Sequence, residues 1–66
     1  MILTINGQSR DLAPVTDIPE LLDRLCLGRD RVAVEVNGRI IKRAEWGSTS
    51  LADGDHVEIV QFVGGG

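Results

Sequence analysis

The spacing of apolar positions along this chain switches between the period of a strand and the period of a helix, and the switches mark out its elements. Met1 to Ile5 is apolar and rich in strand formers, Asn6-Gly7 is a strong hairpin signal, and Gln8 to Leu12 reads as the returning strand. Around Thr16-Asp17-Ile18-Pro19-Glu20 the pattern changes. Asp17 is placed to cap a helix, Glu20 stands three residues on as in a capping box, and Pro19 falls in the first turn. Ile18, Leu21, Leu22 and Leu25 then line one helical face, Glu20, Asp23 and Arg24 occupy the other, and Gly28 is the expected terminator.

Alternation returns in Arg31 to Val36, with three valines on one side, and Asn37-Gly38 repeats the turn signal before Arg39-Ile40-Ile41. Lys42 to Ser50 is polar and irregular apart from Trp46. Leu51 to Asp55 supplies an apolar anchor and a tight turn, and His56 to Val63 makes a last strand with Val57 and Ile59 on one face. The opposite face of that strand carries His56, Glu58, Val60 and Phe62. Val60 and Phe62 are therefore expected to form a partly exposed apolar patch suited to docking, unless a twist or bulge tucks them inward. One helix among five strands has only the sheet to cover, so the expected fold class is α+β, in two layers.

Size and charge narrow the function. A chain of 66 residues, 42% hydrophobic and 26% charged, has the make-up of one small folded domain with a radius of gyration of about 11 Å. Such an interior leaves little room for an enclosed substrate pocket. The net charge of −3 and basic residues scattered along the sequence argue against nucleic acid or an anionic membrane as partner, and an acidic face would suit a basic surface on another protein. Cys26 is the only cysteine, so no disulfide framework or multi-cysteine metal site is expected. The chain opens without a signal-peptide pattern and contains no run of membrane-helix length, and a cytoplasmic location is expected.

No catalytic constellation assembles from these residues. His56 is the single histidine and follows a turn, which reads as a surface position. Cys26 lies between two leucines and reads as a small buried hydrophobe rather than a reactive thiol. Asp53 and Asp55 flank Gly54 as turn residues do, and Trp46 is expected to fold onto the core edge.

The unusual feature is the run Gly64, Gly65 and Gly66. Glycine loses the most freedom on ordering, so the run adds nothing obvious to a fold. A frayed terminus is one reading. The other takes the α-carboxylate of Gly66 as a chemical group: a carboxylate is a poor electrophile, and activation as an adenylate makes its acyl carbon attackable. Side-chain-free residues pass through a narrow channel, and Val63 with the glycines spans at most about 14 Å when extended. The apolar strand continuing up to the glycines favours this second reading. A domain over residues 1–63 and a flexible tail over 64–66 are expected.

MILTING, LLDRL, VAVEVNGRIIKRAEW, LADGDHVEIV and the terminal Gly-Gly together cover essentially the whole chain. In these the chain resembles the ThiS family of thiamine-biosynthesis sulfur carriers. The resemblance implies a ubiquitin-like β-grasp fold, with a mixed sheet of four to five strands, the first and last paired in parallel, and one main helix on one face. It implies a carrier rather than an enzyme. Gly66 would be adenylated by a ThiF-like adenylyltransferase at the expense of ATP and converted to a thiocarboxylate, with sulfur from a donor of the cysteine desulfurase type. The thiocarboxylate would then pass its sulfur to a ThiG-like thiazole synthase. The family's Gly-Gly maps to Gly65 and Gly66, and Gly64 is an extra glycine that the ending does not require. Gly64 and Gly65, lacking a Cβ, are expected to thread into the partners' active sites. No bound cofactor, catalytic residue or metal is implied, and the free protein is expected to be a monomer. Two alternatives share the chemistry of the ending: a MoaD-like molybdopterin synthase small subunit, and a ubiquitin-like modifier joined to lysines of target proteins.

Overall fold

The computed structural model describes residues 1–62. Five strands, one α-helix and one 3₁₀-helix follow in the order β1 (Ile2–Ile5), β2 (Gln8–Asp11), α1 (Ile18–Arg24), β3 (Val32–Val36), β4 (Arg39–Ile41), a 3₁₀-helix (Arg43–Ser48) and β5 (His56–Gln61). The sheet order is β2-β1-β5-β3-β4. The last strand is therefore central, parallel to β1 and antiparallel to β3. This is the β-grasp arrangement.

Both hairpins turn on Asn-Gly. Asn6 and Gly7 stand at φ 50° and 81°, Asn37 and Gly38 at 52° and 83°, so each pair occupies the two left-handed positions that a two-residue hairpin turn requires. The resulting registers are Ile5 opposite Gln8 and Val36 opposite Arg39. Gln8 and Arg10 consequently share the helix-side face with Ile5 and Leu3, yet all of β2 is exposed. An edge strand with polar residues on its inner face contributes no apolar side chain to the core and resists pairing with another chain.

Helix α1 begins as expected at Asp17, whose side chain accepts from the Glu20 amide at 3.0 Å. The reciprocal half of the capping box differs. Glu20 Oε1 accepts from the amide of Thr16 at 2.5 Å, one residue further out than the cap. The helix also stops earlier than Gly28. Cys26 takes the left-handed conformation at φ 60°, the Cys26 amide donates to Asp23 O at 3.0 Å and the Leu27 amide to Leu22 O at 2.8 Å. Those two bonds form a Schellman terminus in which Cys26 fills the position usually held by glycine. The conformation turns its side chain out of the helix, so Cys26 is exposed rather than buried between the leucines.

Ile18, Leu21 and Leu22 of α1 press on Leu3, Ile5, Val32, Val34, Val36, Val57 and Ile59 of the sheet to form the core. The segment expected to be irregular is a 3₁₀-helix that closes one side of it. Trp46 is buried there, its indole N–H donating to Ile41 O at 3.0 Å and its ring carrying the Arg43 guanidinium 5.2 Å from the centroid.

Candidate functional site

The position of β5 decides where chemistry can be placed. It is anchored on both sides by the asparagines of the two turns. The Asn6 side chain accepts from the Ile59 amide at 2.7 Å and donates to Ile59 O at 3.1 Å. The Asn37 side chain accepts from the His56 amide at 2.9 Å and donates to Asp55 at 3.1 Å. Asn6 acts where β1 turns away into its hairpin and has no further backbone to offer. Its amide side chain supplies the next rung. The turn carboxylates are used similarly: Asp53 accepts from the Ile2 amide at 2.5 Å and Asp55 from the Ala52 amide at 2.8 Å. Both hold the entrance to β5, as their turn chemistry indicates, and His56 is exposed at its start.

Beyond the centre, β5 runs out at Gln61, and the Phe62 amide donates to Arg31 O at 2.7 Å. Val60 and Phe62, the residues expected to dock a partner, are 53% and 57% exposed. Val60 stands opposite Ala33 on the open face of the sheet, away from the helix. Ile40, 74% exposed, lies on the same face opposite Glu35, which is itself opposite Glu58. Two carboxylates in direct cross-strand register repel, so Glu35 and Glu58 lower the stability of the sheet they sit on. Sequence reasoning singles out neither Ile40 nor this carboxylate pair. The Asn37-Gly38 turn makes the Glu35–Ile40 pairing legible, but nothing in the chain places Glu58 beside them until the central strand is in position.

The helix side of the exit is different. Ile5, Leu25, Leu27 and Ile59, rimmed by Asn6, Gln8, Arg10 and Gln61, line an open depression of about 280 Å³ where the short helix leaves the sheet uncovered. At the same end four of the seven basic residues that look scattered along the sequence are gathered. Arg31 adjoins Phe62, Lys42 follows Ile41 at the end of β4, and Arg43 donates to Arg29 O and contacts Asp30 at 3.5 Å. Asp11, Asp53 and Asp55 cluster at the opposite end, around the start of β1.

No polar or charged residue is buried among the described residues, and none of them form a group of three or more His, Cys, Asp or Glu side chains able to hold a metal ion. No helix among them is long and apolar enough to cross a membrane. Val63, the threading positions Gly64 and Gly65, and the carboxylate position Gly66 lie outside the described residues.

Topology and site together define a ubiquitin-like β-grasp domain whose central strand emerges between an apolar-acidic face and a basic edge. Residues 3–66 match the model of the ThiS family, and the chain belongs to that family. A crystal structure of a thiamine biosynthesis protein (ThiS) from Geobacter metallireducens superposes with a TM-score of 0.84 at 36% identity, covering 100% of both chains. Sulfur carrier protein ThiS of Escherichia coli is 29% identical over 66 residues, again 100% of each. A thiazole synthase of Paramagnetospirillum magneticum is 38% identical over 66 residues, which are 100% of this chain but only 20% of that protein. The chain thus spans about a fifth of that relative's length.

Proposed function

We propose that this protein is a sulfur carrier for assembly of the thiazole ring of thiamine, with the Gly66 carboxylate as the group that is loaded. In this reading a ThiF-like adenylyltransferase joins the carboxylate to the α-phosphate of ATP, releasing pyrophosphate. The mixed anhydride makes the acyl carbon electrophilic, and the persulfide of a desulfurase-type donor displaces AMP to give an acyl disulfide, whose S–S bond a second thiol then cleaves, leaving the thiocarboxylate and a disulfide between the two thiols. The resulting thiocarboxylate is the better nucleophile and delivers sulfur to a ThiG-like thiazole synthase. The carrier itself needs no catalytic residue. Its work is to hold the exit of β5 rigid and to offer surfaces that partners recognise.

The observation that carries this reading is the likeness, over the full length of both chains, to the Escherichia coli sulfur carrier. The match to part of a thiazole synthase favours thiazole synthase as the acceptor, since a carrier and the enzyme it supplies gain a high effective concentration when they share a polypeptide. Val60 and Phe62, with Ile40 beside Glu35 and Glu58, are the surface that a partner with apolar and basic side chains would cover. Gly64 and Gly65 are assigned to the narrow approach to the active site, where a Cβ would obstruct threading.

The test is intact-mass measurement after incubation with the adenylyltransferase, ATP and a sulfur donor. The expected product is heavier by the difference between one sulfur and one oxygen atom, and the same change is absent when Gly66 is deleted although the deletion variant remains folded. No mass change in the parent protein, under conditions that load the Escherichia coli carrier, would sink the reading.

A further inference from the structure

The basic edge at the exit of β5 is not required by the fold. Arg31 stands at φ 59°, a left-handed conformation that costs a side-chain-bearing residue about 1 kcal/mol and that asparagine or glycine adopts more easily. Its side chain forms no hydrogen bond or ion pair among the described residues, and neither does that of Lys42. An arginine in a left-handed conformation, its head group without a hydrogen-bond or ion-pair partner among the described residues, stands where the backbone of Arg31 holds the Phe62 amide. Arg29 and Arg43 flank it, partly neutralised by Asp23 and Asp30. Asp11, Asp53 and Asp55 lie at the other end, and Arg31 and Lys42 are basic side chains beside the outgoing strand that no carboxylate pairs with among the described residues.

We infer that Arg31 and Lys42 form a docking rim that meets carboxylate side chains around the mouth of the activating enzyme's tail channel. The inference rests on the carrier reading above and names the chemistry of the partner's surface. Carboxylates of a protein fit better than the phosphates of bound nucleotide. Val63 to Gly66, when extended, separate the rim from the reacting carboxylate by up to about 14 Å, so the rim faces the entrance and not the nucleotide. Nucleic acid is a poor fit, because the open face beside the rim carries Glu35 and Glu58. Two unpaired cations beside the outgoing strand favour a tail-first approach to a negative entrance and raise the rate of productive encounter.

The experiment compares the parent protein with Arg31→Asn/Lys42→Gln and with a control, Arg39→Gln, at the other end of β4. Asparagine suits the backbone of residue 31, so the double variant is expected to fold at least as stably as the parent. Two readouts are taken with the ThiF-like adenylyltransferase at low and physiological salt: calorimetric binding, and kcat and KM for ATP-dependent release of pyrophosphate. The expected result is a roughly two- to thirty-fold rise in KM and Kd at low salt, with kcat unchanged and a flatter salt dependence, from the loss of two exposed ion pairs. Arg39→Gln should leave these values near those of the parent. Equal KM, Kd and salt slope in the double variant and the control would overturn the rim while the carrier reading stands. A parent that binds with the salt dependence described but is never adenylated would overturn the carrier reading and leave the rim. A parent that does not bind overturns both.

Discussion

Asn6 gives the sharpest test of how the central strand is held. Its side chain makes both hydrogen bonds to the backbone of Ile59, at 2.7 and 3.1 Å, at the point where β1 leaves the sheet. Asn6→Gly keeps the left-handed backbone, so it removes the bonds without adding strain at φ 50°. Each bond contributes about 0.5–1.5 kcal/mol net, and the Ile59 amide is part-buried, which limits rescue by water. The expected loss is about 2 kcal/mol. For a domain of this size that corresponds to a fall in Tm of roughly 8–16 °C. Chemical denaturation of parent and variant measures the first quantity and a thermal scan the second. Amide exchange supplies a local readout, since protection of the Ile59 N–H should fall further than that of Val34, which lies on the other side of β5. A loss below about 0.5 kcal/mol with Ile59 protection intact would show that β5 does not depend on this side chain.

Three further substitutions probe the same geometry. Cys26→Gly should stabilise the protein by about 0.5–1 kcal/mol in denaturant melts, because glycine relieves the φ of 60° at the Schellman position and the side chain it removes is exposed. Glu58→Gln should raise stability by about 0.2–1 kcal/mol by removing the repulsion across from Glu35, and a melt unchanged or lowered would contradict that pairing. Phe62→Ala should leave stability within about 0.5 kcal/mol, since the ring is 57% exposed, yet raise the KM for adenylation; a large drop in Tm would mean that Phe62 belongs to the fold and not to the docking face.

Much of this architecture is legible in the chain, because it rests on local physics. Asn-Gly can occupy two successive left-handed positions and so specifies both hairpins with their registers. Asp17 caps α1 because its carboxylate reaches an amide three residues on. The period of Ile18, Leu21 and Leu22 selects the buried helical face, and alternation in β5 separates Val57 and Ile59 from Val60 and Phe62. Local signals mislead where two residues compete for one role. Gly28 looks like the helix terminator, but the Schellman bonds close two residues earlier, and Cys26 takes the left-handed position and the exposure that goes with it. Trp46 folds onto the core edge as its sequence position indicates, but the 3₁₀-helix that carries it is not legible locally, because it follows from docking against α1 and bonding to Ile41.

What the sequence determined by itself, then, is the five strands and the α-helix, which face of each is apolar, and the resemblance of the whole chain to a carrier family. Only the tertiary structure decided that β5 is central, that Asn6 and Asn37 complete its pairing, and that Glu58 faces Glu35. It also brought Arg29, Arg31, Lys42 and Arg43 together at the exit of that strand. The physical reason is separation along the chain. Alternation and helical periodicity report the environment of neighbours a few residues apart, while a strand's partners are selected by burial of the whole sheet against the helix. Charges far apart in the sequence acquire a common edge only when that burial is complete.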